Sequence, residues 1–371
     1  KRGGGDTTRN WDDWYGSVTY DLMQLCVDKV GGRDKNTEEF SSFASQYALL
    51  FYFHANDTLF GYVLRPGKPL CTFTTKTTVK NLFALEKELK SRVSNSYRSS
   101  DIANNRGIAP DEDSGARELN AINFDLCSIL IPLEIRDSIV ETKYLQILPV
   151  LNIGSIPFYL LSPFEEKSFL VDRMCVVMGS DPSMYLKKNH SLFDLGEYTV
   201  QKGENLKQPE KFGKWFPTNP VVVGNPLFDN LCGASLLSLP FAEKEADWVA
   251  NSLGTVAIKN GVARKDTVLA RIKKSDFIYL ATHAYASASN TMDESFIMLG
   301  SYNDTCGKWT PRQIQDHSLN PESIVILSAC ESGMGKVLDA GVISLGRGFL
   351  KAGACNVVYS YWPVSDQSAF E

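Results

Sequence analysis

Several familiar signatures are missing from this 371-residue chain. No two of its eight cysteines form a CxxC pair, so a zinc ribbon or a thioredoxin-type motif has no support. No apolar run approaches the ~20 residues that a membrane-spanning helix requires. The best stretch, residues 145–153, is strand-sized and interrupted by Gln146, Pro149 and Asn152. Positive charge is not in excess: 38 Lys+Arg stand against 43 Asp+Glu, a net charge of −5. That argues against direct nucleic-acid binding, which needs a basic face. There is no repeat of 20–50 residues and no low-complexity tract beyond Gly3–Gly5. A signal-peptide pattern and an initiator Met are also absent, and the chain stops within what reads as a helix, Asp366 to Glu371. These features suggest a fragment of a longer protein. Cysteines scattered through apolar runs suggest reduced, buried thiols and a cytoplasmic setting.

With 43% hydrophobic and 22% charged residues, the chain has ample material for a sizeable core. Residues 11–29 read as a helix, and 48–53 and 59–64 as a hairpin turning at Asn56-Asp57. Residues 79–93 read as an amphipathic helix, and 99–118 as an aperiodic surface loop. From Tyr144 onward short apolar strands alternate with helices. Strands are expected near 145–151, 174–178, 221–223, 277–281, 323–328 and 356–361, and helices near 242–253, 267–274 and 342–351. Strands separated by helices imply crossovers and a mainly parallel sheet covered on both faces, an α/β fold. Residues 189–217, rich in Lys, Gly, Pro and Asn, mark a boundary between two halves.

Two strand ends carry chemistry. Residues 277–281 run into Thr282-His283-Ala284, and residues 323–327 run into Ser328-Ala329-Cys330-Glu331-Ser332-Gly333. In open α/β sheets functional groups gather where strands end and helices begin. A thiol and an imidazole on one sheet edge make a nucleophile and its acid/base partner. The imidazole generates the thiolate from a thiol that is mostly protonated at neutral pH, and then protonates a leaving amine. Small residues around Cys330 let backbone N–H groups approach an oxyanion. Against this stands the plainer reading, in which Cys330 is a buried small hydrophobe and His283 a packing residue. Of the four histidines, His54 falls in the hairpin, and His190 and His317 fall in polar segments. Gly333-Met334-Gly335-Lys336 hints at a phosphate loop, but Cys330 stands where the first glycine belongs and Val337 where Ser or Thr belongs.

At these motifs the chain resembles the CHAT family, caspase-like cysteine proteases related to separase. The likeness runs through Leu145-Gln146-Ile147-Leu148-Pro149, Ile156-Pro157-Phe158, the Gly224-Asn225-Pro226 turn, the helix after Leu239-Pro240, Ala281-Thr282-His283-Ala284, residues 327–333, and Tyr361-Trp362-Pro363-Val364-Ser365-Asp366. It implies a caspase-like, mainly parallel sheet flanked by helices with an N-terminal pseudo-caspase half. The domains would be a leader at 1–40, the pseudo-caspase half at 41–215 and the catalytic half at 216–371. The resemblance makes Cys330 the nucleophile and His283 the acid/base. It makes the N–H groups of Ala284 and Cys330 the oxyanion donors, and Trp362 and Asp366 substrate-binding residues. Asp366 also reads simply as an N-cap for the terminal helix. No metal or organic cofactor is implied. The expected partners are a protein substrate and an activating sensor or repeat domain, in a defence or signalling pathway, with neither nucleic acid nor membrane. The alternative is a catalytically silent CHAT fold serving as a scaffold.

Overall fold

Asn56 and Asp57 take left-handed φ angles of 49° and 54°. Two consecutive residues of that kind form the hairpin turn whose twist matches its flanking strands. They join β1 (Tyr47–Ala55) to β2 (Thr58–Leu64), with Ala55 opposite Thr58. The structure is a computed structural model that describes residues 46–65, 68–103, 112–165, 168–179, 217–228, 236–303, 305–329, 333, 335–338, 341–361 and 366–370. The expected helix at 11–29 and most of the expected boundary at 189–217 lie outside the described residues.

The chain divides into two compact units. The first gathers the described residues within 1–77, 124–149 and 158–194. Its sheet is mixed: β3 (Cys71–Lys76) pairs antiparallel with β2, while β4 (Tyr144–Leu148) and β5 (Cys175–Met178) continue from β1 in parallel. Ala48, Leu49 and Leu50 are all buried, so β1 is covered on both faces.

The second unit gathers residues within 78–123, 150–157 and 195–371. Helix α1 (Val79–Ala103) belongs here, and helix α2 (Glu112–Leu130) begins here. Both correct the sequence reading, because residues 99–103 close α1 and 112–118 open α2 rather than forming a loop. The apolar positions that anchor α2, Ile122, Leu126 and Leu130, come late in it, so its polar first turns carry no periodicity.

The core of this unit is built on β6 (Pro220–Pro226), β7 (Ile258–Asn260), β8 (Phe277–Ala281), β12 (Ile324–Ser328) and β15 (Asn356–Val358). They form a five-stranded sheet in the order β15-β12-β8-β6-β7, every pair parallel. Alternation along the strands sends side chains to two helical layers. Val221, Val223, Ile278, Leu280, Val325 and Leu327 face a cluster completed by Val268, Ile314, Leu345 and Phe349. Val222 and Tyr279 face Ala246 and Ala250 of α3 (Pro240–Ser252). Helices α4 (Lys265–Ile272), α5 (Pro311–Gln315) and α6 (Leu345–Ala352) supply the first layer. Burying one such Leu, Ile or Phe contributes about 1.5–3 kcal/mol.

Gly224 sets how closely α3 approaches β6. A Cβ there would lie 2.3 Å from Ala246 Cβ and 2.7 Å from the Ala242 carbonyl oxygen.

A three-stranded antiparallel sheet, β9 (Ala284–Tyr285), β10 (Phe296–Met298) and β11 (Lys308–Trp309), follows β8. After β12 the chain forms a hairpin, β13 (Gly335–Leu338) and β14 (Gly341–Ser344). This replaces the first three residues of the helix expected at 342–351. Val342 and Ile343 are β-branched and extend the apolar run, but Ser344 Oγ accepts from Arg347 N–H and starts α6 one residue later. The Gly335-Lys336 pair therefore opens a strand, not the helix that a phosphate loop would require. The last helix, α7, is Asp366–Phe370.

Candidate active site

The parallel registers align three strand ends. Gly224 of β6 and Ser328 of β12 both pair with Ala281 of β8. The ladder runs one step further, because Thr282 N–H donates to Ser328 O at 3.3 Å. Thr282 is buried, and its Oγ1 donates to Met298 O at 2.7 Å. His283 thus emerges past the carboxyl end of β8, between the ends of β6 and β12. Cys330 follows Ser328 by two residues in sequence and lies outside the described residues, as does Trp362.

The His283 imidazole is half-buried and held on two sides. Its Nε2 lies 2.8 Å from the Leu237 carbonyl oxygen. A carbonyl only accepts, so Nε2 carries a proton, and in the neutral ring Nδ1 is the nitrogen with the free lone pair. The ring of Phe228 tilts against it at 58°, with centroids 4.9 Å apart. The other described histidines have different surroundings. His54 Nε2 lies 2.9 Å from Thr77 O within the hairpin sheet. His317 packs edge-on to Trp309, and burial with help from Lys273 holds it below the usual imidazole range.

Ala284, expected as an oxyanion donor, is the first residue of β9, an edge strand. Met298 N–H donates to His283 O at 2.9 Å, which makes Ala284 and Ile297 a non-hydrogen-bonded pair of the ladder. Its N–H consequently points away from β10. That is a donor orientation an oxyanion can use.

Two residues flank the cysteine position. Ala329 O accepts from Ser360 Oγ at 2.6 Å, and Gly333 N–H donates to Ser360 O at 2.8 Å. Ser360 therefore ties down the chain one residue before Cys330 and three residues after it. A Cβ at Gly333 would fall 2.2 Å from the Tyr359 ring. Beneath the strand ends, Glu245 of α3 is buried and accepts from Tyr279 Oη at 2.5 Å. Burial pushes its carboxyl above the usual range; hydrogen bonds to Tyr279 and Ser328 oppose that, and the nearby Asp366 adds to it. Asp366, expected to bind substrate, spends both oxygens on the first turn of α3. Oδ2 accepts from Phe241 N–H at 2.9 Å and Oδ1 from Ala242 N–H at 2.8 Å.

Sequence reasoning did not single out Leu237, Ser360, Tyr279 or Glu245. Leu237 and Ser360 act partly through backbone atoms, which leave no trace in residue type. Glu245 sits within the helix after Leu239-Pro240 and was visible only as part of a family pattern.

The cysteines correct one expectation. Cys71, Cys127, Cys175 and Cys355 are reduced thiols, but Cys306 is disulfide-bonded, so the set is not uniformly reduced. Burial pushes the Cys127 thiol up to about 11 and raises that of Cys175, which leaves both poor nucleophiles. Among the described residues no group of His, Cys, Asp and Glu could hold a metal ion, and no helix is long and apolar enough to cross a membrane.

Comparison of the sequence with known proteins gives the family. Human tetratricopeptide repeat protein 28 is 25% identical over 242 residues, covering 55% of this chain and 10% of that protein. The mouse protein of the same name is 24% identical over 242 residues, covering 56% of this chain and 9% of that protein. The chain thus matches about a tenth of the length of these relatives. The CHAT domain profile matches residues 125–371, two-thirds of the sequence and the whole of the parallel sheet. With its parallel α/β sheet flanked by helices, the chain belongs to the CHAT-domain family and has its caspase-like fold.

Proposed function

We propose that the chain is a cysteine endopeptidase that cleaves a partner protein through Cys330 and His283. One observation carries the reading. His283 stands past the end of β8 with Nε2 spent on the Leu237 carbonyl, beside the strand whose continuation in sequence is Cys330. In the proposed reaction Nδ1 takes the thiol proton and the thiolate sulfur attacks the scissile carbonyl carbon. The carbonyl electron pair moves onto oxygen, which the N–H groups of Ala284 and Cys330 stabilise. The imidazolium then protonates the leaving amine as the C–N bond breaks. Nδ1 next takes a proton from water, which hydrolyses the thioester.

By resemblance, Trp362 and Asp366 contribute to substrate binding, and the first half of the chain braces the second. An activating sensor or repeat domain, fused or bound, fits relatives named for tetratricopeptide repeats, of which the matched stretch is about a tenth. A defence or signalling pathway is the setting proposed.

The test is cleavage of a candidate protein substrate by the purified chain. Cys330→Ala and His283→Ala should each abolish turnover while leaving Tm unchanged, and the double variant should lose no more than either single one. Wild-type cleavage by Cys330→Ala would overturn the mechanism. Failure of a thiol-reactive peptide probe to label Cys330 would favour a silent scaffold.

A further inference from the structure

Asn225, the next-to-last residue of β6, has a left-handed conformation, φ 43°, and is only 4% exposed. Asn tolerates that backbone better than most residues. The consequence is that its side chain turns toward the start of α3. Its Oδ1 accepts from Leu239 N–H at 2.8 Å and from Ser238 Oγ at 3.3 Å. Its Nδ2 donates to Ser238 Oγ at 3.1 Å and to Glu243 Oε2 at 3.3 Å. Glu243 is held in turn by Lys259 of β7, at 3.1 Å. Leu239 is the N-cap residue of α3 and has no side-chain acceptor of its own, so Asn225 supplies the acceptor for its N–H from the neighbouring strand, alongside Asp366 on the Phe241 and Ala242 N–H groups.

These bonds fix residues 238 and 239, immediately after Leu237. The Leu237 side chain is 80% exposed, so burial does not hold this residue. Its carbonyl is aimed at His283 because the next two residues are clamped. A fixed chain of contacts therefore runs from Asn225 through Ser238 and Leu239 to the Leu237 carbonyl and on to His283 Nε2.

We infer that Asn225 is a positioning residue that sets the tautomer and orientation of His283 through the Leu237 carbonyl. Without the clamp the carbonyl drifts, the Nε2–H form loses its preference, and Nδ1 presents its lone pair only part of the time. The inference rests on the proposed acid/base role of His283 for its consequence in catalysis, but not for its consequence in the imidazole itself.

The experiment uses the full chain with 15N-labelled histidine, reading the ring nitrogens by long-range 1H–15N correlation. The His283 signal is assigned by its loss in His283→Gln. Wild type should show a single Nε2–H form, and Asn225→Ala a mixture of both tautomers with kcat lowered on the order of ten-fold and KM little changed. Ser238→Ala removes part of the clamp and should give a smaller shift in the same direction, which keeps the test decisive if Asn225→Ala does not fold. A pure Nε2–H signal in either folded variant would overturn the inference. If wild type shows the Nε2–H form and the variants lose it but no substrate is ever cleaved, the positioning stands and the protease reading fails. If the variants keep the wild-type tautomer while the chain does cleave its substrate, the positioning fails and the protease reading stands.

Discussion

Tyr279 of β8 donates its phenol proton to Glu245 of α3 at 2.5 Å, joining the helix to the strand that carries the candidate histidine. Ser328, the last residue of β12, hydrogen-bonds the same carboxylate, so Glu245 also reaches the strand that leads to Cys330. The carboxylate is thus a buried tie between two strand ends and the helix packed on them. A buried polar group of this kind is stabilising only while all its partners remain.

Glu245 makes stability depend on pH. Its carboxyl is raised in the fold above the unfolded value near 4.5, chiefly by burial. The folded state therefore binds the proton more tightly than the unfolded one. The resulting stabilisation is complete below the unfolded value and is lost as pH rises through the folded value. Glu245→Gln has no proton to lose and should escape that decline. Thermal melts from about pH 4 to about pH 8 should show the Tm of the variant gaining on wild type as pH rises, and parallel curves would refute the assignment.

Tyr279→Phe removes the donor while leaving the carboxylate buried. The expected loss is about 1–3 kcal/mol of unfolding free energy, read by chemical denaturation. In Glu245→Leu the same substitution should cost less, because the group that needed the phenol is gone. Equal costs in both backgrounds would show that the two residues are not coupled.

Ser360→Ala removes the hydroxyl that holds Ala329 O, one residue before Cys330. A lost hydrogen bond of this type costs about 0.5–1.5 kcal/mol. Because the bond acts beside the candidate nucleophile, the rate of Cys330 alkylation by a thiol reagent should also change, more than it does in Tyr279→Phe. A changed Tm with an unchanged alkylation rate would confine Ser360 to a structural role.

Much of this fold could be read from residue patterns, and the reasons are specific. Residues 277–281 and 324–328 are short and apolar, the second rich in Ile and Val, bounded by polar punctuation, and buried central strands have that form. Asn56-Asp57 specified its own turn. The hairpin of β13 and β14 was not legible, because Val342 and Ile343 satisfy a helical and an extended pattern equally. The strand-end position of His283 was visible, but its tautomer was not. That depends on a carbonyl 46 residues earlier in the chain, aimed by an asparagine on another strand. Contacts made by backbone atoms across the fold lie beyond any reading of residue types.

Asp366 allows its two readings to be separated. The observed one is a cap on α3, not on the terminal helix where the sequence suggested it: both oxygens accept N–H groups from the first turn of α3, where an anion also meets the positive end of the helix. The other extends the proposed substrate-binding role to selection of Arg or Lys before the scissile bond, through the lone pairs the cap leaves open on a carboxylate it holds rigid. Each predicts a different loss in Asp366→Asn. Asparagine keeps one acceptor and no charge, so weakening of the cap should lower stability by about 0.5–2 kcal/mol. A charge-assisted hydrogen bond to a guanidinium would be lost as well, and with it the preference for a basic residue. The measurement pairs thermal melts with a peptide library varied at the residue before the scissile bond, run on wild type and variant. The proposal expects both the lower Tm and the lost preference. A lower Tm with the preference for Arg or Lys intact, or a wild type that prefers apolar residues there, would leave Asp366 as a cap and move specificity to other residues.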